Sequence, residues 1–236
     1  MPLHLYCMLP RGSGIPAQPV RGLDDAPVAV IETDTLDLWV SEVPGPPPEA
    51  TVRHAIAHDR VIRAAMTIQT PLPLRFGQIV EGEATLRSLL AAREEALLRA
   101  LDRVRGTVEM TIRVLLEEVA PERPEMTPDV PCDAPGPGRL HLERLRLLTR
   151  GEQARRERAE FLQEQIGNAV ALLVRAEVRT PLSPFARTRS LTIAHLVARE
   201  HVEDYRAALH ALRAETPAAQ LMISGPWAPY SFAPRA

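Results

Sequence analysis

The chain has 236 residues, with 28 basic and 30 acidic side chains and a net charge of −2 at pH 7. This balance argues against bulk nucleic-acid binding, which favours a strongly basic face, and a hydrophobic content of 45% excludes a wholly disordered chain. All 28 basic residues are arginine. The absence of lysine rules out a P-loop nucleotide site, because that motif uses a lysine to bind the phosphates.

The compartment of the protein can be inferred from its apolar segments and its cysteines. Apolar stretches such as residues 166–174 and 221–234 are too short, or too interrupted by proline, to span a bilayer. The N-terminus lacks the basic and apolar regions of a signal peptide. Cys7 and Cys132 are too few for a disulfide framework or a metal-ligand set. We therefore expect a cytoplasmic protein with no membrane contact, metal or cofactor.

The first half of the chain predicts several short strands. Apolar runs bounded by glycine and proline are typical of strands, and they occur at residues 3–9, 28–31 and 36–43. Residues 70–80 include two prolines and predict an extended segment at a sheet edge. Residues 107–115 alternate apolar and polar side chains, as a half-buried strand does.

Two helices are predicted between these strands. Residues 51–66 place Val52, Ile56, Ile62 and Met66 near one face at the 3.6-residue period. Residues 82–106 form a longer amphipathic helix that Gly106 would end. We expect both helices to cover one face of a small, mainly antiparallel sheet that includes residues 107–115. This is an α+β domain over residues 1–120.

Residues 121–138 are dense in proline and glycine and predict a linker. The second domain then covers residues 139–236. Its first part, residues 139–179, carries interleaved charges and predicts one long helix, or two helices divided at Gly151. A strand, a helix and a last strand are predicted at residues 190–198, 201–214 and 220–225.

The chain offers few residues with a pattern suited to catalysis or metal binding. His54 and His58 lie four residues apart on a predicted helix, a spacing that can present two imidazoles to one metal ion. No glutamate follows His54 directly and no third ligand lies at an informative distance, so we expect two exposed helix histidines. Ser13 lies between two glycines without a strand–turn–helix pattern, which predicts a flexible turn rather than a nucleophile.

The charged clusters favour solvated helix faces. The glutamate pairs at residues 94–95 and 117–118 are adjacent in sequence, so on a helix their carboxylates point in different directions. The arginines at residues 155–158 suit phosphate, but an interleaved glutamate is typical of a solvated surface. Because no titratable groups converge, we expect that the protein is not an enzyme.

The C-terminal segment 225–232 concentrates Trp227, Tyr230 and Phe232 within six residues. Its prolines hold the backbone extended, which lowers the entropy cost of docking the rings. Two interpretations are open: the rings pack across the core of their own domain, or they dock a partner.

This segment, Gly-Pro-Trp-Ala-Pro-Tyr-Ser-Phe, resembles the G-P-W-P-P-Y-S-F signature that ends proteins of the gas vesicle GvpL/GvpF family, with Ala228 in place of a proline. Residues 70–77 resemble the P-L-R-F-G segment of that family. Residues 58–62 resemble its H-D-x-V stretch, and residues 3–6 resemble its opening strand. The order and spacing of these segments agree over nearly the whole chain.

The resemblance implies two α+β domains, the second ferredoxin-like, with an extended C-terminal tail. It implies a minor component of the gas vesicle or of its assembly machinery that contacts the shell protein GvpA and other gas vesicle accessory proteins, and it implies no catalytic residue. The candidate partner-binding residues are Leu74, Arg75, Phe76, Trp227, Tyr230 and Phe232. The alternative is a small-molecule-sensing or regulatory module, a common use of ferredoxin-like folds.

Overall fold

A computed structural model describes residues 1–115, 137–180, 190–216 and 220–234 of the chain. These residues form two antiparallel sheets with helices packed against them. The predicted α+β class is confirmed. The predicted linker falls almost entirely outside the described residues, and its last two positions begin a helix at Pro137.

The first sheet is built around a buried central strand. Its strands are β1 (Leu3–Pro10), β2 (Ala29–Glu32), β3 (Leu36–Glu42), β4 (Leu72–Pro73) and β5 (Ile79–Val80). The order is β2-β3-β1-β4, and β5 also pairs with β1. The extended segment with two prolines therefore lies at a sheet edge, as predicted. Almost every residue of β1 is buried, because both faces of this sheet are covered.

Helices pack on opposite faces of the first sheet. Helix α1 (Val52–Ile68) packs on the face of Tyr6, Cys7 and Trp39, and helices α2 (Gly82–Ala91) and α3 (Glu94–Val104) pack on the other face. The expectation of one covered face is therefore wrong.

The predicted helix over residues 82–106 is divided in two. Arg93 leaves the helical region of the backbone, with φ −126° and ψ 7°. Glu94 and Glu95 then occupy the first turn of α3, where negative charge favours a helix N-terminus. The break separates α2 from α3 without changing the sheet face that both helices cover.

The buried face of α1 also differs from the prediction. Val52 and Ile56 are exposed, whereas His58, Val61 and Ile62 are buried. The predicted helical period is correct, but the buried face is rotated from the predicted one, so that His58 occupies a core position.

The second sheet has a ferredoxin-like topology. Its elements are β6 (Thr107–Leu115), α4 (Pro137–Val170), β7 (Val174–Thr180), β8 (Ser190–Ala198), α5 (Val202–Glu215) and β9 (Gln220–Trp227). This βαββαβ succession has the strand order β7-β8-β6-β9, in which every neighbour is antiparallel. The described parts of α4 and α5 pack on one face, against alternate residues of β6 and β8.

Two expectations for this sheet are wrong. The strand at residues 107–115 pairs with β8 and β9 rather than with the first sheet. Residues 174–180 form β7 rather than the end of a long helix, because Val174, Ala176 and Val178 alternate with charged residues at the period of a strand. Helix α4 runs without a break through Gly151 and ends at Val170.

The two halves share a hydrophobic core. Ala194, Leu196 and Phe232 from the second half pack with leucines of β1, β3, α2 and α3. The Arg199 guanidinium donates to the Met66 carbonyl at the end of α1. The rear face of the second sheet is thus one wall of the core of the first half.

Candidate partner-binding site

The segments that resemble family motifs are far apart in sequence, but they meet around α1. His58 contacts the segment at residues 70–77 through Leu74 and Phe76. One turn further along α1, the Arg63 guanidinium lies 4.9 Å from the centre of the Trp227 ring in the tail. Helix α1 therefore links the edge segment on one side to the C-terminal tail on the other.

His58 connects α1 to the edge segment by hydrogen bonds whose direction follows from the chemistry. Its Nε2 lies 2.9 Å from the Leu74 carbonyl oxygen, which only accepts, so Nε2 carries the proton. Its Nδ1 then accepts from His4 Nε2 at 3.0 Å. Burial lowers the pKa of His58 and, aided by repulsion from His58, lowers the pKa of His4 to about 4. Both imidazoles are therefore neutral at pH 7.

His54 differs from His58, although both lie on α1. Its Nδ1 donates to the Glu49 carbonyl at 2.7 Å, and its Nε2 lies 3.1 Å from an Asp24 carboxylate oxygen. These hydrogen bonds, first that to Glu49, raise the pKa of His54. The expectation of two exposed histidines is wrong, because His58 is buried and the His54 side chain is only partly exposed. Both nitrogens of His58 are committed, since Nε2 donates to Leu74 and Nδ1 accepts from His4, and the described residues contain no group of three metal-ligating side chains.

Phe76 is held among the rings of this cluster rather than presented to solvent. Its ring centre lies 5.5 Å from that of His4, 5.8 Å from that of His58 and 6.4 Å from that of His54. Arg75, next to it, is exposed, and Leu74 is partly buried. Of the three candidates in this segment, Arg75 is therefore the most accessible and Phe76 acts as an anchor.

The C-terminal tail begins on the second sheet and ends on the first. Ala228 is buried with Tyr6 and Trp39 on the α1 face, and Tyr230 packs against the same cluster. Phe232 is 6% exposed and packs in the core on the opposite face of the first sheet. The tail thus passes from one face of the first sheet to the other, which requires that it turn around the sheet edge.

A buried carboxylate fixes this turn. Glu109 on β6 accepts from the Ser231 backbone N–H at 2.7 Å and from the Ser231 hydroxyl at 2.8 Å. Burial raises the pKa of Glu109, and these hydrogen bonds act to lower it. Burial also raises the pKa of the Tyr230 hydroxyl, as does the nearby Asp59 carboxylate. Tail residues Tyr230 and Phe232 are therefore packing residues in this structure, whereas Trp227 is 36% exposed.

An apolar groove lies where the tail ends. It has a volume of about 360 Å³ and is bounded by β4, β5, α2, α3 and tail residues Ala233 and Pro234. Leu74 lines it, as does Leu89, which is 51% exposed. The sheet edge at its margin includes Pro73, which has no N–H to pair with an added strand. The groove therefore suits apolar side chains better than strand addition.

Sequence reasoning missed two parts of this site. Leu89 lies in the amphipathic helix predicted at residues 82–106, but the sequence does not show that this leucine lies outside the core. Glu109 alternates with apolar residues on β6, a pattern that predicts exposure. Only the pairing of Glu109 opposite Trp227 in the sheet places its carboxylate beneath the tail.

The other side chains considered in the sequence analysis make local contacts that stabilise the fold or the surface of a helix. The backbone N–H of Ser13 donates to Asp37 Oδ2 at 2.9 Å in a turn. Glu94 accepts from the Thr35 hydroxyl at 2.6 Å, and Glu95 pairs with Arg99 on the surface of α3. Arg158 lies 5.7 Å from the centre of the Phe161 ring on α4. Over the described ranges, no helix combines the length and apolar character that crossing a membrane requires.

Comparison with known proteins agrees with these segments. The family model described as "Gas vesicle synthesis protein GvpL/GvpF" matches residues 2–234. The chain is 29% identical to gas vesicle protein L of Streptomyces sp. (strain CB03234), over 92% of this chain and 77% of that protein. It is 26% identical to gas vesicle protein L1 of Halobacterium salinarum (strain ATCC 700922 / JCM 11081 / NRC-1), over 98% and 90%.

Solved structures share the fold. The crystal structure of GvpF from Anabaena sp. PCC7120 superposes with a TM-score of 0.80 at 20% identity, covering 100% of this chain and 99% of that one. GvpF from Microcystis aeruginosa gives 0.78 at 19% identity, covering 99% of each chain. The resemblance inferred from the motifs is confirmed, and the chain belongs to the GvpL/GvpF family of gas vesicle synthesis proteins.

Proposed function

We propose that this protein is a non-enzymatic, cytoplasmic accessory factor that binds the shell protein GvpA, together with other gas vesicle proteins, during gas vesicle formation. The family assignment over residues 2–234 supports a role in gas vesicle formation. The choice of GvpA as a partner comes from the chemical problem of assembly. A shell subunit with large apolar surfaces aggregates before it polymerises unless another protein covers those surfaces.

The observation that carries the proposal is the apolar groove beside β4. Leu74, Leu89 and the neighbouring aliphatic side chains line a concave surface of about 360 Å³ that a partner's apolar side chains can fill. Half of the Leu89 side chain is in contact with solvent. Complete burial of a fully exposed leucine contributes about 1.5–3 kcal/mol, so burial of the exposed half of Leu89 in a complex contributes about half of that.

The six candidate residues divide into two roles under this proposal. Three of them contact partners: Leu74 in the groove, Arg75 beside it, and Trp227, which is about one-third exposed. Phe76, Tyr230 and Phe232 hold the two segments in place by packing. The proposed partner contacts themselves lie on two surfaces, because the groove that includes Leu74 and the Trp227 side chain are on opposite sides of the first sheet.

Copurification tests the proposal directly. The full chain, tagged, is recovered from cells that form gas vesicles, and the recovered proteins are compared with those of an unrelated tagged control. We expect enrichment of GvpA and of other gas vesicle proteins. If no gas vesicle protein is enriched over the control, the proposal fails.

A double variant separates the two interpretations of the tail. Trp227→Ala with Tyr230→Ala is compared with wild type for recovered partner per folded molecule, with the folded fraction measured by circular dichroism. Loss of partner at an unchanged folded fraction assigns docking to the tail. Normal binding per folded molecule, with a smaller folded fraction, assigns it to packing alone.

A further inference from the structure

A second concavity, outside the partner-binding site, lies where the two halves of the molecule meet. It has a volume of about 310 Å³ and is bounded by the ends of α1 and α3, by the turn that leads into β6, and by Arg199 after β8. Its polar lining residues are Gln69, Thr70, Arg105 and Arg199. Among the described residues, two guanidinium groups and no acidic side chain line it.

Arg199 is held in a fixed orientation at this surface. Its Nε donates to the Thr70 hydroxyl at 3.3 Å, and one terminal nitrogen donates to the Met66 carbonyl at 2.8 Å. The Thr70 hydroxyl in turn donates to the Thr107 carbonyl at 2.7 Å, so both of its hydrogen-bonding roles are used. The second terminal nitrogen of Arg199 makes no hydrogen bond within the described residues. A guanidinium held in this way is preorganised to bind an anion.

Two further arginines add positive charge beside it. Arg175 donates to the Arg105 carbonyl at 3.2 Å, which brings its guanidinium to the same turn. Asp102 pairs with Arg105, but within the described residues neither Arg175 nor Arg199 forms an ion pair. The carbonyl ends of α1 and α3 offset part of this charge. Of the charged side chains placed here within the described residues, three are guanidinium groups and one is the Asp102 carboxylate, so the local charge is positive.

From this arrangement we infer that the concavity binds a small oxyanion of the phosphate class, either inorganic phosphate or a phosphomonoester. The terminal nitrogen of Arg199 that has no hydrogen bond within the described residues, and the Arg105 guanidinium, can each donate charge-assisted hydrogen bonds to phosphate oxygens. A phosphate bound here contacts the end of α3 and the connection after β8 together, so it stabilises the junction between the two halves. This role is independent of GvpA binding.

Thermal unfolding of the full chain tests the inference. Unfolding is followed at matched ionic strength with increasing inorganic phosphate, glycerol phosphate or acetate. Because phosphate also stabilises proteins by exclusion from their surface, the readout is the rise in Tm relative to Arg199→Gln. We expect a saturable rise with inorganic phosphate, glycerol phosphate or both, and no saturable rise with acetate.

Matched variants make the result interpretable. Arg113→Gln, an exposed arginine further along β6, should keep the full phosphate response. Arg105→Gln, whose side chain pairs only with Asp102 in the described residues, should reduce it at least twofold without a change of Tm in chloride. Equal responses of wild type, Arg105→Gln and Arg199→Gln, or a saturable response to acetate alone, would overturn the inference and leave Arg199 as a cap of α1.

Discussion

At the scale of single residues, His4 and His58 make stability depend on pH. Both are buried and neutral in the folded protein, with the pKa of His4 lowered to about 4, whereas in the unfolded chain they titrate near 6.5. The unfolded state therefore binds more protons between these values. We expect the free energy of unfolding to be constant above about pH 7 with respect to these groups and to fall as pH drops from 6.5 towards 4.

Chemical denaturation at a series of pH values measures this effect. Each histidine contributes a slope of up to about 1.4 kcal/mol per pH unit. His4→Gln keeps a hydrogen-bond donor for His58. It should reduce the pH slope of the free energy of unfolding by the contribution of one histidine. Equal slopes for wild type and His4→Gln would show that His4 is not buried in its neutral form.

Ser231 contributes to stability through a buried carboxylate. Ser231→Ala removes the hydroxyl that donates to Glu109 Oε1 and leaves the Ser231 backbone N–H on Oε2 and only the long 3.5 Å hydrogen bond from the Thr111 hydroxyl on Oε1. An under-satisfied buried carboxylate costs about 1–3 kcal/mol. We therefore expect Ser231→Ala to lower the free energy of unfolding, measured by urea denaturation, by about this amount. The control Ser88→Ala, on the exposed face of α2, should lower it by less than about 0.5 kcal/mol. A loss of similar size in both variants would remove the assigned role of Glu109.

At the scale of elements, Gly225 is required at the register shift in the pairing of β9 with β6. Its φ is +121°, and an added Cβ would lie 2.8 Å from the Glu109 carbonyl oxygen and 2.8 Å from Met110 Sδ. Gly45 has a similar φ of +112° but open space around it. Both Gly→Ala variants should lose about 1–3 kcal/mol from backbone strain.

Gly225→Ala should lose more, because β9 must also move away from β6. We expect an additional loss of at least 1 kcal/mol relative to Gly45→Ala, measured by urea denaturation. Equal losses would mean that β9 accommodates a side chain at this position without displacement.

Most elements could be predicted from the sequence because their signals are local. The strand at residues 190–198 is rich in apolar side chains, and α1 has the predicted apolar period. Residues 174–180 alternate correctly for a strand, yet they follow a charge-laced helix directly, and that proximity concealed the change of period. The break at Arg93 is marked only by Glu94 and Glu95, which also fit a continuous helix.

At the scale of the whole molecule, β6 determines where the two structural units divide. The sequence predicts a boundary near residue 120, but strand pairing depends on contacts between distant residues that no local pattern records. We propose that the division lies before Thr107, because β6 is the first strand of the βαββαβ unit. Hydrogen exchange should show β6 amides opening together with those of β8. Exchange of β6 together with β1 would contradict this boundary.

The partner-binding site was only partly predictable for the same reason. The motif resemblance pointed to residues 70–77 and 225–232 as separate segments, and the structure brings both of them to α1. It did not show that Phe76, Tyr230 and Phe232 are anchors, since burial depends on which face of the first sheet the tail covers. The groove has no sequence signal, because it exists only where β4, α2 and the tail meet.

The affinity of the purified chain for GvpA, measured with Leu89→Glu and Leu172→Glu variants, tests the central claim most directly. Leu89 lines the groove and is 51% exposed, whereas Leu172 lies in the turn after α4 and is 99% exposed, so both substitutions should leave the fold intact. We predict that Leu89→Glu weakens binding at least about tenfold, equivalent to about 1.4 kcal/mol, and that Leu172→Glu binds as wild type does. Wild-type affinity in both variants would contradict binding through the groove.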